Sequence, residues 1–400
     1  SQRMVFFMRK SCNTFSTLSS NFKKFFNFVS SLSKPQNNFI SDCIVGMIKA
    51  ESVVTTDIIK KLPRDYFDES LFSSKEKKFY RFFNNSRFNP YNFYDDIISY
   101  VISNYKAKNC NVYISFDHMF CKDRFTIFLL SLKIGKQGIP LWFRCFEGVS
   151  DPDAFNLELI KEGILYVHNL FQDKKNLKLI FLADRWFNFK EIMGYIDSLN
   201  DTYCIRTKSN VSIHIDNHPD SDMIASISDI EPTLSKSRYF DSVQITSSLF
   251  PTKLAVSKLD SHKEPFFILT NGSTREAIKH YGYRFGSIEF IFKNHKSNGF
   301  YLESTQTRNI QAFTTLFTLM NVALLWLIII GADYSKAKSN VPKYFKIRYS
   351  KRVSANSNSS KTPNYTRLYS IFNTALILFN LVYESPHYYN LKFNFKLYDI

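Results

Sequence analysis

Three acidic residues, Asp117, Asp184 and Glu289, stand where carboxylates could do chemistry together. Asp117 follows the β-forming run 112–116 and Asp184 follows the apolar run 177–183, so both are predicted at the ends of strands of one sheet. Glu289 falls on a predicted helix further along the chain. Carboxylates that meet repel one another unless a cation neutralises them, and hard oxygen ligands suit Mg²⁺ or Mn²⁺. A pair of such ions can activate a water or a 3′-hydroxyl for displacement at a phosphodiester.

Other residues could contribute to such a site, and they rank lower. One aspartate at a strand end is weak support, because most such residues cap helices or lie in turns. The rival carboxylates are Asp123, Asp151, Asp153 and Glu303. His118 and His295 could lie near the ions, although positions behind the ligands or on the surface are favoured for both. The six cysteines are scattered without a CxxC pair, which disfavours a zinc site or a disulfide framework and favours a reducing compartment.

The chain carries a large excess of positive charge. Its 400 residues include 52 lysines and arginines against 35 aspartates and glutamates, a formal net charge of +17. Such an excess predicts a polyanionic partner, either nucleic acid or an anionic membrane surface. Residues 333–400 interleave basic and aromatic side chains, a mixture that suits phosphate contacts and stacking on bases. Nucleic acid is the favoured partner, and a solvated basic face is the simpler alternative.

One segment is apolar enough to be considered as a membrane span. Residues 316–330 form an apolar run of 15 residues with Asn321 near its middle, shorter than the ~20 residues of a spanning helix. A helix buried inside a large domain is the favoured interpretation, so no membrane partner is expected. The N-terminal segment lacks the sustained apolar core and small-residue cleavage site of a secretory signal. With the scattered cysteines, this favours the cytoplasm.

The order of predicted elements is typical of a mixed sheet flanked by helices. Strands are predicted at 112–116, 125–132, 141–146, 177–183, 203–206 and 266–270. Helices are predicted at about 153–171, 187–199, 276–331 and 366–383. A mostly helical region precedes this β-β-β-α-β-α-β order. The stretch 208–265 is rich in Ser, Asp, Pro and Thr with short alternating runs, which predicts a β-rich insertion.

The segment around Glu289 carries the most specific pattern in the chain. Tyr281, Arg284, Glu289 and Lys296 follow one another with two, four and six residues between them. This resembles the YREK signature of the DDE transposases of bacterial insertion sequences, the IS-four type, in which the gaps are two, three and six. The extra residue puts Arg284 and Glu289 about 140° apart on an ideal helix instead of on one face. Gly286 could place Arg284 in a turn before the helix and restore its reach.

Further segments extend the resemblance over about residues 40–335. Leu182–Phe187 resembles the block of the second catalytic aspartate, and Tyr203–Lys208 resembles the strand after it. Ser115–Asp117 resembles the block of the first aspartate, although His118 is not the residue most often expected next. The block around the third carboxylate remains the most specific part.

The resemblance implies an α/β fold: an RNase H-like catalytic core, with a mixed sheet flanked by helices, plus a β-rich insertion and a helical N-terminal region. The N-terminal region is a candidate DNA-binding module, with a plain helical lid as the alternative. The implied boundaries are 1–105 for the helical N-terminal region, 106–207 for the first part of the core, 208–265 for the insertion, 266–335 for the rest of the core with the third-carboxylate helix, and 336–400 for a basic helical C-terminal region.

The function that the resemblance implies is cut-and-paste DNA transposition, a metal-dependent cleavage and strand transfer at insertion-sequence ends. In that scheme Asp117, Asp184 and Glu289 are the catalytic residues and hold Mg²⁺ or Mn²⁺, two ions in all. The alternative is a catalytically inactive or domesticated transposase-derived protein that binds DNA without cutting it. A membrane protein anchored at 316–331 is a third hypothesis.

The resemblance also implies which residues contact DNA. Tyr281, Arg284 and Lys296 would contact phosphates near the transposon end, with Lys293 and Arg185 as further phosphate contacts. The simpler alternatives are a solvated helix face for Arg284 and Lys296 and a half-buried ring for Tyr281. The implied partner is double-stranded DNA, both transposon ends and target, bound by a homodimer in the synaptic complex. The implied location is the bacterial cytoplasm, in association with the nucleoid.

Overall fold

The structure is a computed structural model. It describes residues 26, 32–62, 72–149, 151–215, 225–227, 230, 237–246, 248–258, 264–297, 299–336, 349–351 and 365–367. Contacts divide these residues into two compact units. The sheet unit comprises the described residues of 107–298 and 307–310, and it carries all three candidate carboxylates. The helical unit comprises those of 1–106, 299–306 and 311–400.

The helices and strands follow one another along the chain in alternating blocks. The helices are α1 (Lys34–Ala50), α2 (Thr55–Lys61), α3 (Phe72–Phe83), α4 (Pro90–Ser103), α5 (Leu157–Phe171), α6 (Lys190–Ser198), α7 (Thr274–Gly282), α8 (Ile288–Lys296) and α9 (Ile310–Lys336). The strands are β1 (Asn111–Cys121), β2 (Phe125–Ile134), β3 (Gln137–Glu147), β4 (Lys178–Ala183), β5 (Thr202–Arg206), β6 (Ser212–Ile215), β7 (Ala225–Ser226), β8 (Arg238–Ile245), β9 (Phe250–Ser257), β10 (Phe266–Thr270), β11 (Tyr349–Lys351) and β12 (Tyr365–Arg367).

The helical unit contains α1–α4 and nearly all of α9, and its core is rich in phenylalanine. Helix α1 begins with a capping box, in which the side chains of Ser33 and Gln36 accept each other's backbone N–H. The Phe39 ring on α1 lies 4.8 Å from the Phe79 ring and 4.4 Å from the Phe82 ring on α3. These contacts join α1 to α3 through their apolar faces.

Helix α9 is the only one within the described residues that is long and apolar enough to cross a membrane, judged by length and composition over Ile310–Ile329. Residues 312–329 of this segment are all buried. The predicted remainder of the catalytic core spans 266–335, whereas contacts group residues 299–306 and α9 from Gln311 onward with the helical unit. Within that unit, the Gln311 side chain donates to the Phe88 carbonyl and Val53 N–H donates to the Phe300 carbonyl. These bonds join the segment to the N-terminal helices.

The sheet unit is built on one mixed sheet of ten strands in the order β3-β2-β1-β4-β5-β10-β9-β8-β6-β7. β1, β4 and β5 are parallel, while β2 and β3 form antiparallel hairpins on one side. β10 pairs antiparallel with β5, and the strands of the predicted insertion continue the same sheet beyond it. The α/β class and the mixed sheet flanked by helices are therefore as predicted.

Helices cover both faces of the central strands. Helix α7 packs Ala277 and Tyr281 against Ile180, Leu182 and Ile268 on one face. Helix α5 covers the opposite face, where a Cβ on Gly163 would contact β2 and β3. Because alternate residues of a strand point to opposite faces, Ser115 and Asp117 in β1 face the α7 side.

Three predicted elements differ from the structure. β1 does not end before Asp117, because its antiparallel ladder with β2 continues to Cys121 after its parallel ladder with β4 has stopped. The helix predicted from 153 begins at Leu157, since Asn156 caps it and a separate 3₁₀ turn, Pro152–Phe155, precedes it. The helix predicted at 366–383 lies almost wholly outside the described residues, and Tyr365–Arg367 at its start is a strand.

Glycines within two helices, Gly163 in α5 and Gly194 in α6, allow a matched test of how tightly the helices pack on the sheet. A Cβ on Gly163 in α5 would lie 2.7 Å from Leu130 Cδ1 and 2.9 Å from the Trp142 ring, so Gly163→Ala should overpack the helix–sheet contact and lower the free energy of unfolding by ~1–3 kcal/mol. Gly194 in α6 has its nearest neighbour, Phe250, at 3.7 Å, so Gly194→Ala should raise stability by ~0.4–1 kcal/mol. Urea unfolding of both variants measures the difference, and equal effects would contradict the packing.

Candidate active site

The two aspartates are placed side by side by the pairing of β1 with β4. These parallel strands are in register up to the pair Ser115–Leu182, and Asp117 and Asp184 each lie two residues beyond that pair. Asp184 follows the last residue of β4 directly, as predicted, and its carboxylate accepts the Arg185 N–H at 2.7 Å. Asp117 is held by the ladder with β2, and its Oδ1 accepts the His118 N–H at 2.9 Å. Both carboxylates therefore have a backbone donor that fixes their orientation.

The third carboxylate is brought to this edge by the packing of α8 on β1 and β3. Ser287, just before α8, is fully buried, and its hydroxyl lies 2.6 Å from the hydroxyl of Ser115 in β1. A Cβ on Gly138 in β3 would stand 2.4 Å from the Ser287 carbonyl oxygen, so only glycine allows this close approach. Glu289 in the first turn of α8 is thereby held near β1, two residues from the Ser115–Ser287 contact.

Arg284 lies outside α8, in the 3₁₀ turn Tyr283–Gly286 that precedes it. This is the turn proposed from Gly286, and it removes the problem of the five-residue spacing from Arg284 to Glu289. The guanidinium is buried, with 5% of the residue exposed. Its Nη2 is ion-paired with Asp117 Oδ2, and its Nη1 lies 3.4 Å from Glu289 Oε1. One cation thus bridges two of the three predicted catalytic carboxylates.

Tyr281 joins the remaining carboxylate to the group. Its ring is part of the core between α7 and the sheet, and its hydroxyl donates to Asp184 Oδ1 at 3.5 Å. Burial raises the pKa of the phenol well above its ordinary value, so the hydroxyl is a donor at neutral pH. The ring is buried, in contrast to the half-buried ring considered from the sequence.

The pKa values of Asp117 and Glu289 are raised, as expected for carboxyl groups that are partly buried close to one another. Burial is the largest cause that raises the pKa of Asp117, to about 6, with Arg284 and the His118 N–H opposing it and the charges of Asp184 and Glu289 adding to it. Burial also raises the pKa of Glu289, against the attraction of Arg284 and with the repulsion of Asp184. Positive charge placed among these groups would favour their ionised forms.

Of the two histidines considered near the ions, His295 is fully buried and His118 is partly buried. His118 lies behind Asp117, where its Nε2 is 2.7 Å from the Ala154 carbonyl and its ring stacks on Phe187. Burial lowers the pKa of His118 to about 4 and that of His295 to about 3, so both are neutral at pH 7. A surface position is thus wrong for His295, and His118 is partly buried against the Ala154 carbonyl and the Phe187 ring.

The remaining predicted phosphate contacts lie outside this cluster. Lys293 is exposed and Lys296 partly exposed on α8, one and two turns beyond Glu289. Arg185 is exposed and lies 3.6 Å from Glu264. The structure thus brings together Asp117, Asp184, Glu289, Tyr281 and Arg284, and it does not bring the side chains of Lys293, Lys296 and Arg185 into this group.

The three carboxylates carry negative charge that a cation must neutralise. Three carboxylates supply hard oxygen donors, and the guanidinium of Arg284 already stands among them as the cation that their charges require. Among the described residues, no group of three or more His, Cys, Asp or Glu side chains is arranged to hold a metal ion. The oxygen donors are of the type that Mg²⁺ or Mn²⁺ prefers, but in the arrangement shown here Arg284, and not a metal ion, pairs with Asp117 and Glu289.

Comparisons with known proteins add little to this geometry. No protein-family model matches the chain, and no curated protein matches it. Among solved structures, the chain is similar to Marinitoga piezophila Argonaute in complex with 5′ OH guide RNA and target DNA, with 12% sequence identity and a TM-score of 0.22. The similarity covers 49% of this chain and only 30% of that chain. At this TM-score the similarity defines neither fold nor function.

Ser115, Gly138 and Ser287 position the site and were not singled out from the sequence for that role. The hydroxyl–hydroxyl contact joins residues 172 positions apart, and no local pattern encodes such a pair. The available signal was weak: a serine inside the apolar strand of Asp117, and a serine directly before the helix of Glu289.

The raised pKa of Asp117 predicts how stability depends on pH. Because the folded-state pKa of about 6 lies above the ordinary 3.8, the folded protein binds more protons between pH 4 and 6 and loses stability as pH rises through that window. Asp117→Asn should therefore raise the free energy of unfolding at pH 7.5, on the order of 1 kcal/mol. The gain should shrink below pH 6 and vanish near pH 4.

Urea unfolding at a series of pH values measures this gain. Asp153→Asn, at an exposed carboxylate on the 3₁₀ turn before α5, is the control and should change stability by less than ~0.5 kcal/mol at every pH. A loss of stability in Asp117→Asn at pH 7.5 would show that burial does not dominate at this carboxylate.

Proposed function

We propose that this protein is a DDE transposase of the insertion-sequence type, which cuts DNA at the ends of a mobile element and joins those ends to a target. The observation that carries the proposal is the convergence of Asp117, Asp184 and Glu289 around Arg284 and Tyr281. These five residues lie up to 172 positions apart, each in or directly after a different element, and all five match the sequence blocks that the family resemblance identified.

The architecture supports an RNase H-like core. β3-β2-β1-β4-β5 form the mixed part of the sheet, with the two aspartates at one edge and helices on both faces. The insertion strands leave after β5 and return through β10, ahead of the helix that carries the third carboxylate. In this proposal the β-rich insertion divides the core into two parts at these strands.

In this proposal Asp117, Asp184 and Glu289 hold the metal ions, Mg²⁺ or Mn²⁺. When bound, the ions activate a water or a 3′-hydroxyl and stabilise the oxygen that leaves phosphorus. The chain's own groups fix the carboxylates: the His118 and Arg185 N–H groups orient the two aspartates, and Arg284 and Tyr281 donate to their side chains. A phosphate seated over the acids would lie next to both donors.

The proposed partner is double-stranded DNA, as transposon ends and as target, bound by a homodimer in the bacterial cytoplasm. Lys293 and Arg185 are exposed and Lys296 is partly exposed, and in this proposal the three contact the strand backbone. The net charge of +17 gives the long-range attraction that such binding uses.

A second function is favoured by one observation. The guanidinium of Arg284 stands between Asp117 and Glu289, where a cation bound to both carboxylates would also have to stand. A transposase-derived protein that binds DNA without cutting it would keep this ion bridge permanently. The two functions share DNA binding and differ in metal-dependent cleavage.

Cleavage of linear DNA that carries the element's ends separates the two functions. If the protein cuts with Mg²⁺ or Mn²⁺, Asp184→Ala should lower the rate by roughly 10²-fold or more, because a metal ligand is lost. Asp184→Asn should do the same while keeping an acceptor for the Arg185 N–H. Asp173→Ala, at an exposed carboxylate near the opposite end of β4, is the matched control and should cut normally. DNA binding without cleavage in the unaltered protein would support the second function.

Salt dependence tests the proposed phosphate contacts. DNA affinity should fall steeply with salt concentration, and Lys293→Gln and Lys296→Gln should each make the slope of log K against log salt less negative by about 0.9. Lys175→Gln, an exposed lysine just before β4, is the control and should leave the slope unchanged. Equal slopes in all four proteins would place the DNA elsewhere on the chain.

A further inference from the structure

Three fully buried serines of the sheet unit are joined by hydrogen bonds, and they are here called the serine bridge. Ser131 in β2, Ser115 in β1 and Ser287 just before α8 are each 0% exposed. The Ser131 hydroxyl donates to the Ser115 carbonyl at 3.2 Å, and the hydroxyls of Ser115 and Ser287 are 2.6 Å apart. Burying a hydroxyl costs free energy unless it is hydrogen-bonded, so buried hydroxyls that bond to one another fix a specific arrangement of their elements.

The hydrogen bonds of the serine bridge run in one direction, toward the turn that carries Arg284. The Ser287 hydroxyl donates to the Arg284 carbonyl at 3.1 Å. Because a hydroxyl has a single proton, the 2.6 Å contact is then a bond from the Ser115 hydroxyl to the Ser287 oxygen. The Arg284 carbonyl also accepts the Ser287 N–H at 3.1 Å. Two bonds from one residue therefore fix the direction of this carbonyl and close the 3₁₀ turn.

Ser287 does not act as a helix cap, although it directly precedes α8. Serine is favoured at that position because its oxygen can accept a backbone N–H of the first helical turn. The Ser287 side chain makes no such bond, and its hydroxyl is used for Ser115 and Arg284 instead. Its place in the structure therefore serves the turn and the sheet, and not the start of the helix.

The serine bridge connects the backbone of three charged residues to one buried contact. Asp117 lies two residues after Ser115 on the same face of β1, and Glu289 lies two residues after Ser287. Arg284 lies three residues before Ser287, and its guanidinium contacts both carboxylates. A change in the Ser115–Ser287 contact should therefore move Arg284 and Glu289 together, relative to Asp117.

We infer that the serine bridge holds Arg284 and Glu289 at the distance from Asp117 that metal-dependent cleavage requires. The inference rests on the proposed function, because it concerns the same three carboxylates. Ser115 and Ser287 are positioning residues, since both are fully buried and act through the charged residues. The bridge also closes the turn through which the chain spans the five positions from Arg284 to Glu289.

Alanine variants separate positioning from packing. In Ser287→Ala the buried Ser115 hydroxyl loses its partner, so the urea midpoint of unfolding should fall. Ser115→Ala combined with Ser287→Ala removes both hydroxyls and should recover part of this loss. Mg²⁺-dependent cleavage of linear DNA that carries the element's ends should be about 10-fold slower or more in the single and the double variant alike. A packing contact would instead let cleavage recover together with stability.

Mn²⁺ binding gives a readout that needs no cleavage. The EPR signal of free Mn²⁺ is followed as the ion is titrated into the full chain on DNA already cut at the element's end. Binding should be about 10-fold weaker or more in both variants than in wild type, because a displaced Glu289 is a poorer ligand.

Thr252→Val in β9 is the matched control. The Thr252 hydroxyl likewise lies 2.8 Å from a second buried hydroxyl, that of Tyr203, and donates to a carbonyl, that of Thr270, at 3.3 Å. This variant should lower the urea midpoint and keep wild-type cleavage and Mn²⁺ binding.

The outcomes separate the serine bridge from the function on which it rests. A wild type that neither cuts DNA nor binds Mn²⁺ would overturn both proposals. Wild-type cleavage and Mn²⁺ binding in Ser287→Ala would overturn the positioning role alone, as would cleavage restored with stability in the double variant. If the wild type binds Mn²⁺ without cutting, the proposed cleavage is overturned and the binding measurement alone decides the role of the bridge.

Discussion

Three carboxylates cannot be held together in a partly buried place unless positive charge stands among them. In this protein Arg284 supplies that charge, with its guanidinium ion-paired to Asp117 and within 3.4 Å of Glu289. The dependence is mutual, because a guanidinium that is 5% exposed would be as costly to bury alone as the acids would be. The raised pKa values of Asp117 and Glu289 show that even this cation leaves their repulsion and desolvation incompletely offset. Such residual cost is typical of sites kept for chemistry and not for stability.

The backbone arrangement that creates this cluster follows from a few close contacts. Parallel pairing of β1 with β4 sets the spacing of the two aspartates, and the buried contact between Ser115 and Ser287 sets the position of the third acid. The approach of Gly138 to the Ser287 carbonyl allows the helix of Glu289 to lie directly on the sheet. The position of the three acids thus depends on backbone contacts of β1, β3, β4 and the residue just before α8.

Much of this arrangement could be predicted from the sequence, and the exceptions have physical causes. Asp184 was placed correctly because an apolar run stops at a turn-forming residue, which is a local signal. Asp117 was expected at a strand end, and the error arose because the β2 ladder, a tertiary feature, keeps the chain extended beyond it. The reach of Arg284 depended on a 3₁₀ turn that Gly286 indicated. Its contact with Asp117 spans 167 positions, and no spacing rule gives such a contact.

The antiparallel pairing of β5 with β10 has a consequence for how this architecture can vary. Arg206 at the end of β5 is paired with Ile268, and the Thr207 N–H donates to the Phe267 carbonyl at 2.8 Å, so the chain leaves and re-enters the core through adjacent rungs of one ladder. The segment between these two strands is therefore an insertion whose two ends are held next to each other by the β5–β10 pairing. The entropic cost of closing such an insertion grows only slowly with its length. The insertion could therefore be lengthened, shortened or exchanged during evolution without moving the three carboxylates. Such a change would alter the surface that the insertion presents to a partner.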